Sequence, residues 1–156
     1  MQSISVSEVR QSAEQAFAGG LYCAESVVAA LAKAQGIESD LVTRAATAFC
    51  SGMARTCGPC GALTGAVMGI SVALGRSKSG EPVEAAYTVT QRLVGEFERQ
   101  FGARNCDALL GCDLGTPEGQ AKFKQDQLHQ RCKQYTGRAA EIAARLICEQ
   151  QRAGAA

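Results

Sequence analysis

Eight cysteines in 156 residues are the side chains of this chain best suited to chemistry. Thiolates bind soft metal ions and iron–sulfur clusters, and pairs of thiols exchange electrons by forming disulfides. An even number of cysteines can also indicate a disulfide framework, but that framework is typical of short secreted chains rich in loops. The start of the chain lacks the basic segment and apolar core of a secretion signal. We therefore expect a cytoplasmic protein whose cysteines bind metal or carry out redox reactions.

The segment C-G-P-C places Cys57 and Cys60 at the spacing of a dithiol that cycles with a disulfide. A helix is predicted to begin here, with Pro59 in its first turn, where a missing N–H costs nothing. Free N–H groups at a helix N-terminus stabilise a thiolate, so we expect a thiol there to have a lowered pKa. Dithiol enzymes of the thioredoxin type also have a strand before this motif, and no strand is predicted. Two interpretations stay open: Cys57 and Cys60 as catalytic residues, or two packed thiols at a helix start.

The remaining candidate ligands restrict the kind of metal site. His129 is the only histidine, expected on a solvated helix face, so a metal site must consist mainly of thiolates. Such a site favours zinc or iron–sulfur over hard cations. Covalent c-type haem needs C-x-x-C-H, and Gly61 follows Cys60, so this attachment is excluded there. Cys132 and Cys148 would lie about 24 Å apart on one shared helix, too far for one site, and Cys148 is expected to pack as a small core residue.

Charge and hydropathy exclude two classes of partner. The 16 basic and 15 acidic residues give a net charge of +1 with no basic stripe, and only 5% of residues are aromatic. Nucleic-acid binders need a basic surface or aromatic side chains for stacking, so we expect no nucleic acid. The longest apolar stretch, from Gly61 to Gly75, has about 15 residues, whereas a membrane span needs roughly 20. We expect no membrane association and a buried core helix at this stretch.

Helical periodicity dominates the elements that must position these cysteines, and no segment alternates long enough to form a sheet. The prediction is an all-α, single-domain bundle of about six helices over residues 1–156. Expected helices cover 7–18, 24–35, 39–50, 60–74 and 81–101, with a short turn after 105 and two helices within 116–151 that separate between 128 and 137. Gly61, Gly65 and Gly69 recur on one face of the fourth helix. Such a stripe allows close helix packing or leaves room for a cofactor beside Cys60.

Five motifs and one further cysteine occur in a fixed order: YCAESV at 22–27, SGM at 51–53, CGALTGA at 60–66, NCDALLG at 105–111, DLGTPEG at 113–119 and Cys132. Together they resemble the C-GCAxxG-C-C family of redox-active proteins over roughly residues 20–147. The four cysteines that mark this family correspond to Cys23, Cys60, Cys106 and Cys132. The chain is also similar to the non-haem part of split-Soret cytochromes, which implies an iron–sulfur cluster on those thiolates and a homodimer.

The leading hypothesis is a small electron-transfer or redox-sensing protein with a [2Fe–2S] or [4Fe–4S] cluster on these four cysteines and an unidentified redox protein as partner. One alternative is a thiol–disulfide oxidoreductase that uses Cys57 and Cys60. Another is a structural zinc–thiolate site. Four further cysteines lie outside the family pattern. Cys57 makes a dithiol of a lone Cys60, and Cys112 is either a spare ligand or an incidental thiol; the other two are Cys50 and Cys148.

Overall fold

The computed structural model describes residues 5–156 and is all-helical, as predicted. The helices are α1 (Val6–Ala18), α2 (Cys23–Ala34), α3 (Asp40–Ala46), α4 (Cys50–Arg55), α5 (Gly61–Leu74), α6 (Glu84–Phe101), α7 (Cys106–Leu110), α8 (Pro117–Gln125) and α9 (His129–Gly154), with a 3-10 turn over Thr47–Phe49 before α4. The predicted single domain includes residues 1–4, which lie outside the described residues.

The longest helix, α9, lies at the centre and packs against α1, α2, α5 and α6. Its apolar stripe is fully buried at Ile142 and Leu146 and meets Phe97 of α6 and Leu31 of α2 in one core. Ion pairs join the same helices at the surface: Arg10 of α1 contacts Glu141 at 2.8 Å, and two further pairs link α6 to α9, Arg92 with Glu149 and Arg145 with Glu96. The core therefore holds fixed the helices that carry the cysteines.

The glycine stripe of α5 lets this helix approach α2 closely. A Cβ at Gly65 would lie 2.5 Å from the carbonyl oxygen of Ala24, and a Cβ at Gly69 would lie 2.8 Å from the Cβ of Leu31. Neither distance is sterically possible, so a side chain at either position would push the helices apart. Close helix packing, one of the two predicted roles of the stripe, is thus confirmed at these two glycines.

Three boundaries differ from the predicted ones. The helix expected over 39–50 ends at Ala46, because the chain tightens into the 3-10 turn and then turns left-handed in α4. Pro59 forms an isolated bridge with Asn105 instead of entering the first turn of α5. The last two helices separate at 126–128, which overlaps the predicted interval of 128–137 only at Leu128, and Gln127 has a φ of 52° there.

Candidate functional site

A pocket of about 280 Å³ lies where the N-terminal ends of four helices meet. One cysteine reaches its wall from each of these helices: the first residue of α2, the N-cap residue of α5, the first residue of α7 and a residue in the first turn of α9. These are the four cysteines that the motifs single out, Cys23, Cys60, Cys106 and Cys132. The fold therefore brings to one pocket four thiols that are distant in sequence.

Backbone hydrogen bonds hold two of the four cysteines side by side. The amide of Cys60 donates to the carbonyl oxygen of Arg104 at 2.7 Å, and the amide of Cys106 donates to the carbonyl oxygen of Gly58 at 2.9 Å. These two bonds flank the antiparallel bridge between Pro59 and Asn105. Because both amides belong to helix starts, the bridge satisfies donors that helices leave free and fixes the spacing of α5 and α7.

Two glycines leave the space that two of the thiols occupy. A Cβ at Gly61 would overlap the sulfur of Cys23, and a Cβ at Gly52 would lie 2.5 Å from the Cβ of Cys106. Gly52 also has a φ of +66°, a conformation that favours glycine. The glycines of the CGALTGA and SGM motifs are thus required by the positions of cysteines in other parts of the chain.

The wall between these glycines is a left-handed turn, which sequence reasoning did not predict. Ser51, Met53, Ala54 and Arg55 have φ values of 59°, 62°, 56° and 68°. For residues other than glycine this conformation costs roughly 1–2 kcal/mol each. The turn is held by the amide of Gly58, which donates to the carbonyl oxygen of Gly52 at 2.9 Å. Since Ser51 and Arg55 line the pocket, backbone strain is stored beside the candidate site.

Three thiols of the pocket, those of Cys60, Cys106 and Cys132, hold their protons at neutral pH. Burial raises the pKa of Cys60 to about 12 and that of Cys132 to about 12, and it raises the pKa of Cys106 to about 11. The thiols also disfavour one another's ionisation, since Cys132 and Cys106 both raise the pKa of Cys60. The backbone amides of Ala62 and Leu63 act in the opposite direction but do not compensate for burial. The prediction of a lowered pKa at the start of this helix is therefore wrong for Cys60.

The other four cysteines lie outside the pocket wall. Cys50 is buried, with 3% of its surface exposed, and its thiol donates to the carbonyl oxygen of Ala46 at 3.7 Å. Cys57 lies beside Asp113, which raises the pKa of that thiol. Cys112 is half-buried and raises the pKa of Cys106, so it lies close to the site. Cys148 was expected in the core but is only half-buried. It lies on the same helix as Cys132, α9, as the argument from their distance assumed.

Apolar side chains form most of the remaining wall. The hydroxyl of Tyr135 donates to the carbonyl oxygen of Leu109 at 3.3 Å, and the ring packs edge-on against Phe101 with centroids 4.8 Å apart. His129 is exposed, as predicted, and it also lines the pocket, a position that its sequence context does not indicate. Further apolar lining residues are Phe17, Leu110, Leu114 and Phe123. A pocket of this kind holds charged groups in a medium less polar than water.

The thiols surround the pocket without converging on one point. Among residues 5–156, no three His, Cys, Asp or Glu side chains are grouped closely enough to hold a metal ion. A single zinc ion requires its sulfur ligands at about 2.3 Å. By contrast, an iron–sulfur cluster contains several iron ions, and thiols spread around a pocket could each bind a different part of it. The donor set, four thiols at helix N-termini, fits the ligand chemistry of an iron–sulfur cluster.

Comparison with known proteins gives one family. The model of the family described as "Putative redox-active protein (C_GCAxxG_C_C)" matches residues 21–146, and the chain belongs to this family. Searches of curated proteins and of solved structures returned no match. Within residues 5–156, no helix combines the length and the apolar character that crossing a membrane requires.

Proposed function

We propose that this member of the C_GCAxxG_C_C family binds an iron–sulfur cluster through Cys23, Cys60, Cys106 and Cys132 and acts in electron transfer or redox sensing. The observation that carries the proposal is that all four family cysteines line a single pocket. Bound there, a cluster would supply a reversible one-electron couple. The chain itself would supply the four thiolates, their spacing and the exclusion of water.

The electrostatics of the pocket support an anionic group. Each of the four thiols lies at the N-cap or in the first turn of a helix, where the backbone carries partial positive charge. A cluster with four thiolate ligands is negatively charged overall, so these helix ends stabilise it. The protons of the thiols must leave when the ligands bind, because only thiolates are ligands. Raised pKa values at three of the sites increase the free-energy cost of this deprotonation, which the metal–thiolate bonds would have to offset.

The same geometry weighs against the two alternatives. A structural zinc ion would need the thiols to move together, since no group of three donors is close enough within the described part of the chain. A dithiol enzyme needs a thiolate at neutral pH. The neighbouring Asp113 raises the pKa of Cys57 and burial raises that of Cys60, which disfavours the thiolate of each, and Cys57 lies outside the pocket that Cys60 lines.

Three properties complete the proposal. We infer a homodimer and a cytoplasmic location, where thiols remain reduced. The partner would be another redox protein that approaches the mouth of the pocket. Two apolar residues, Tyr22 and Met53, are 59% and 45% exposed. Tyr22 lines the pocket, and Met53 lies in the left-handed turn that forms part of its wall. Such exposed apolar side chains suit a transient contact surface.

Metal analysis of protein purified without oxygen tests the proposal. We expect iron and acid-labile sulfide in equal amounts, with visible absorption that bleaches on reduction. Cys60→Ala and Cys132→Ala should each remove most of the iron and sulfide. Cys148→Ala is the matched control, because this thiol lies in the same helix as Cys132 but outside the pocket, and it should retain both. Colourless protein with no iron, or full iron in both pocket variants, would disprove cluster binding.

A further inference from the structure

Cys50 lies next to Cys23 but outside the pocket wall. Cys23 lines the pocket wall, whereas Cys50 does not and is almost fully buried. Cys23 packs against the small buried cluster that contains Cys50, and the Cys23 thiol is the largest of the effects that raise the pKa of Cys50, followed by burial. The two side chains are therefore neighbours, although the residues belong to different helices and are separated by most of α2 and all of α3.

Gly61 makes this contact possible. A Cβ at this position would overlap the Cys23 sulfur and would lie 3.1 Å from both the Cα of Cys50 and the carbonyl oxygen of Phe49. The missing side chain thus leaves the space that the Cys23 sulfur occupies, directly beside the backbone of Cys50. This second observation, independent of the titration of either thiol, places the pair within reach of each other.

The pair differs in access from the dithiol that the sequence suggested. In C-G-P-C, Cys60 lines the pocket, while Cys57 lies outside it beside Asp113. Cys23 is half-buried and open to the pocket, with Cys50 buried next to it. Of the four pocket thiols only Cys23 and Cys132 are half-buried rather than buried, so a small oxidant would reach these two most easily. Cys23 has Cys50 next to it, which is the arrangement of an attacking and a resolving cysteine.

The geometry points to Cys23 and Cys50 as a reversible dithiol–disulfide couple, a second redox site in this protein, oxidised by a small hydroperoxide such as hydrogen peroxide. The sulfur of Cys23 attacks the peroxide, the O–O bond breaks, and a sulfenic acid and one water form. The sulfur of Cys50 then displaces the hydroxyl group as a second water. In total two S–H bonds are lost, one S–S bond forms, and the peroxide is reduced by two electrons.

The Cys23–Cys50 disulfide can form without an iron–sulfur cluster, but once formed it would prevent cluster binding. If the proposed function is correct, the disulfide withdraws Cys23 from the ligand set, and oxidation lowers the capacity of the chain to take up iron and sulfide. If cluster binding is disproved, the disulfide still forms in the metal-free chain. The two proposals therefore fail on separate measurements, one on metal content and the other on the cross-link.

Peptide mapping of the metal-free full chain tests the couple. Cys23 lies on tryptic peptide 11–33, Cys50 on 45–55, and Cys57 and Cys60 together on 56–76. After one equivalent of hydrogen peroxide and blocking of the free thiols, we expect peptides 11–33 and 45–55 to be the main cross-linked pair. Dithiothreitol should release them.

Two variants sharpen the result. Cys57→Ala removes the C-G-P-C dithiol and should leave the 11–33 to 45–55 cross-link intact. Cys50→Ala should abolish that cross-link and leave Cys23 as a sulfenic acid that a dimedone probe labels. A main disulfide within peptide 56–76, a cross-link only between chains, or no cross-link in the wild-type chain would overturn the inference. The wild-type map decides the matter even if a variant does not fold.

Discussion

Gly61 lies so close to Cys23 that the sulfur of the cysteine occupies the space where a Cβ of residue 61 would be. The position of Cys23, which begins α2, therefore requires a glycine at the start of α5. Helix propensity alone would favour alanine over glycine there by about 1 kcal/mol. This contact positions one thiol at the pocket, next to Cys50.

Gly61→Ala should displace Cys23 and destabilise the fold. The added Cβ meets a thiol on one side and backbone atoms of Phe49 and Cys50 on the other, and the backbone cannot move aside easily. We expect a loss of about 1–3 kcal/mol in the free energy of unfolding, typical of overpacking. Urea denaturation measures this change, and iron content measures the effect on the pocket.

Gly95→Ala is the matched control for that substitution. Gly95 also lies inside a helix, and a Cβ there would meet only the end of the flexible Arg99 side chain, at 3.3 Å. We expect it to be neutral or to stabilise the fold by up to about 1 kcal/mol, with iron content unchanged. Equal effects of the two alanines would contradict the role given to Gly61.

Ala54→Gly should stabilise the protein, although it shortens a side chain. Ala54 is exposed and has a φ of 56° within the left-handed turn. Glycine adopts this conformation without the steric cost, so we expect a gain of about 1 kcal/mol, reduced in part by the larger entropy of the unfolded chain. Thermal denaturation should show a higher Tm. A lower Tm would mean that the turn is not strained at this position.

The metal-free protein should lose stability as the pH rises. The thiols of Cys60 and Cys106 have pKa values raised by burial to about 12 and about 11, so the folded chain keeps protons that the unfolded chain releases above about pH 8.5. Their stabilising effect is complete below that pH and decreases as the pH approaches the folded values, by up to about 1.4 kcal/mol per pH unit for each thiol. Urea midpoints between pH 7 and pH 10 measure the slope. Cys60→Ala should make it shallower, and an unchanged slope would refute the assignment to Cys60.

Glu141 should make the protein less stable as the pH falls, the opposite of the effect of the thiols. Burial disfavours its charge, but Arg138 and Arg10, the latter at 2.8 Å, outweigh burial and lower the pKa of this carboxyl. Its contribution is present above its unfolded pKa of about 4.3 and is lost as the pH falls through the lower folded value. Glu141→Gln should therefore cost about 1 kcal/mol at pH 7 and almost nothing near pH 2. Glu38→Gln, at an exposed loop carboxylate, is the control for the loss of one surface charge.

The candidate site was predictable as a set of residues but not as an arrangement. The resemblance to the C-GCAxxG-C-C family identified the four cysteines of the pocket, and the periodicity of apolar residues gave most of the helices that carry them. The left-handed turn was missed because none of its four non-glycine residues, Ser51, Met53, Ala54 and Arg55, is a residue type that indicates such a turn. Only its contacts, such as the hydrogen bond from Gly58 to Gly52, hold it in place.

The amino-acid sequence by itself determined that this chain is helical and rich in thiols and that it belongs to a redox-active family, because helical periodicity and motif spacing are local properties. The tertiary structure alone decided that Cys50 lies next to Cys23, that Cys57 lies outside the pocket, and that burial raises the pKa of Cys60. These facts depend on which residues from distant parts of the chain surround each thiol and exclude water from it. A local sequence pattern does not contain that information.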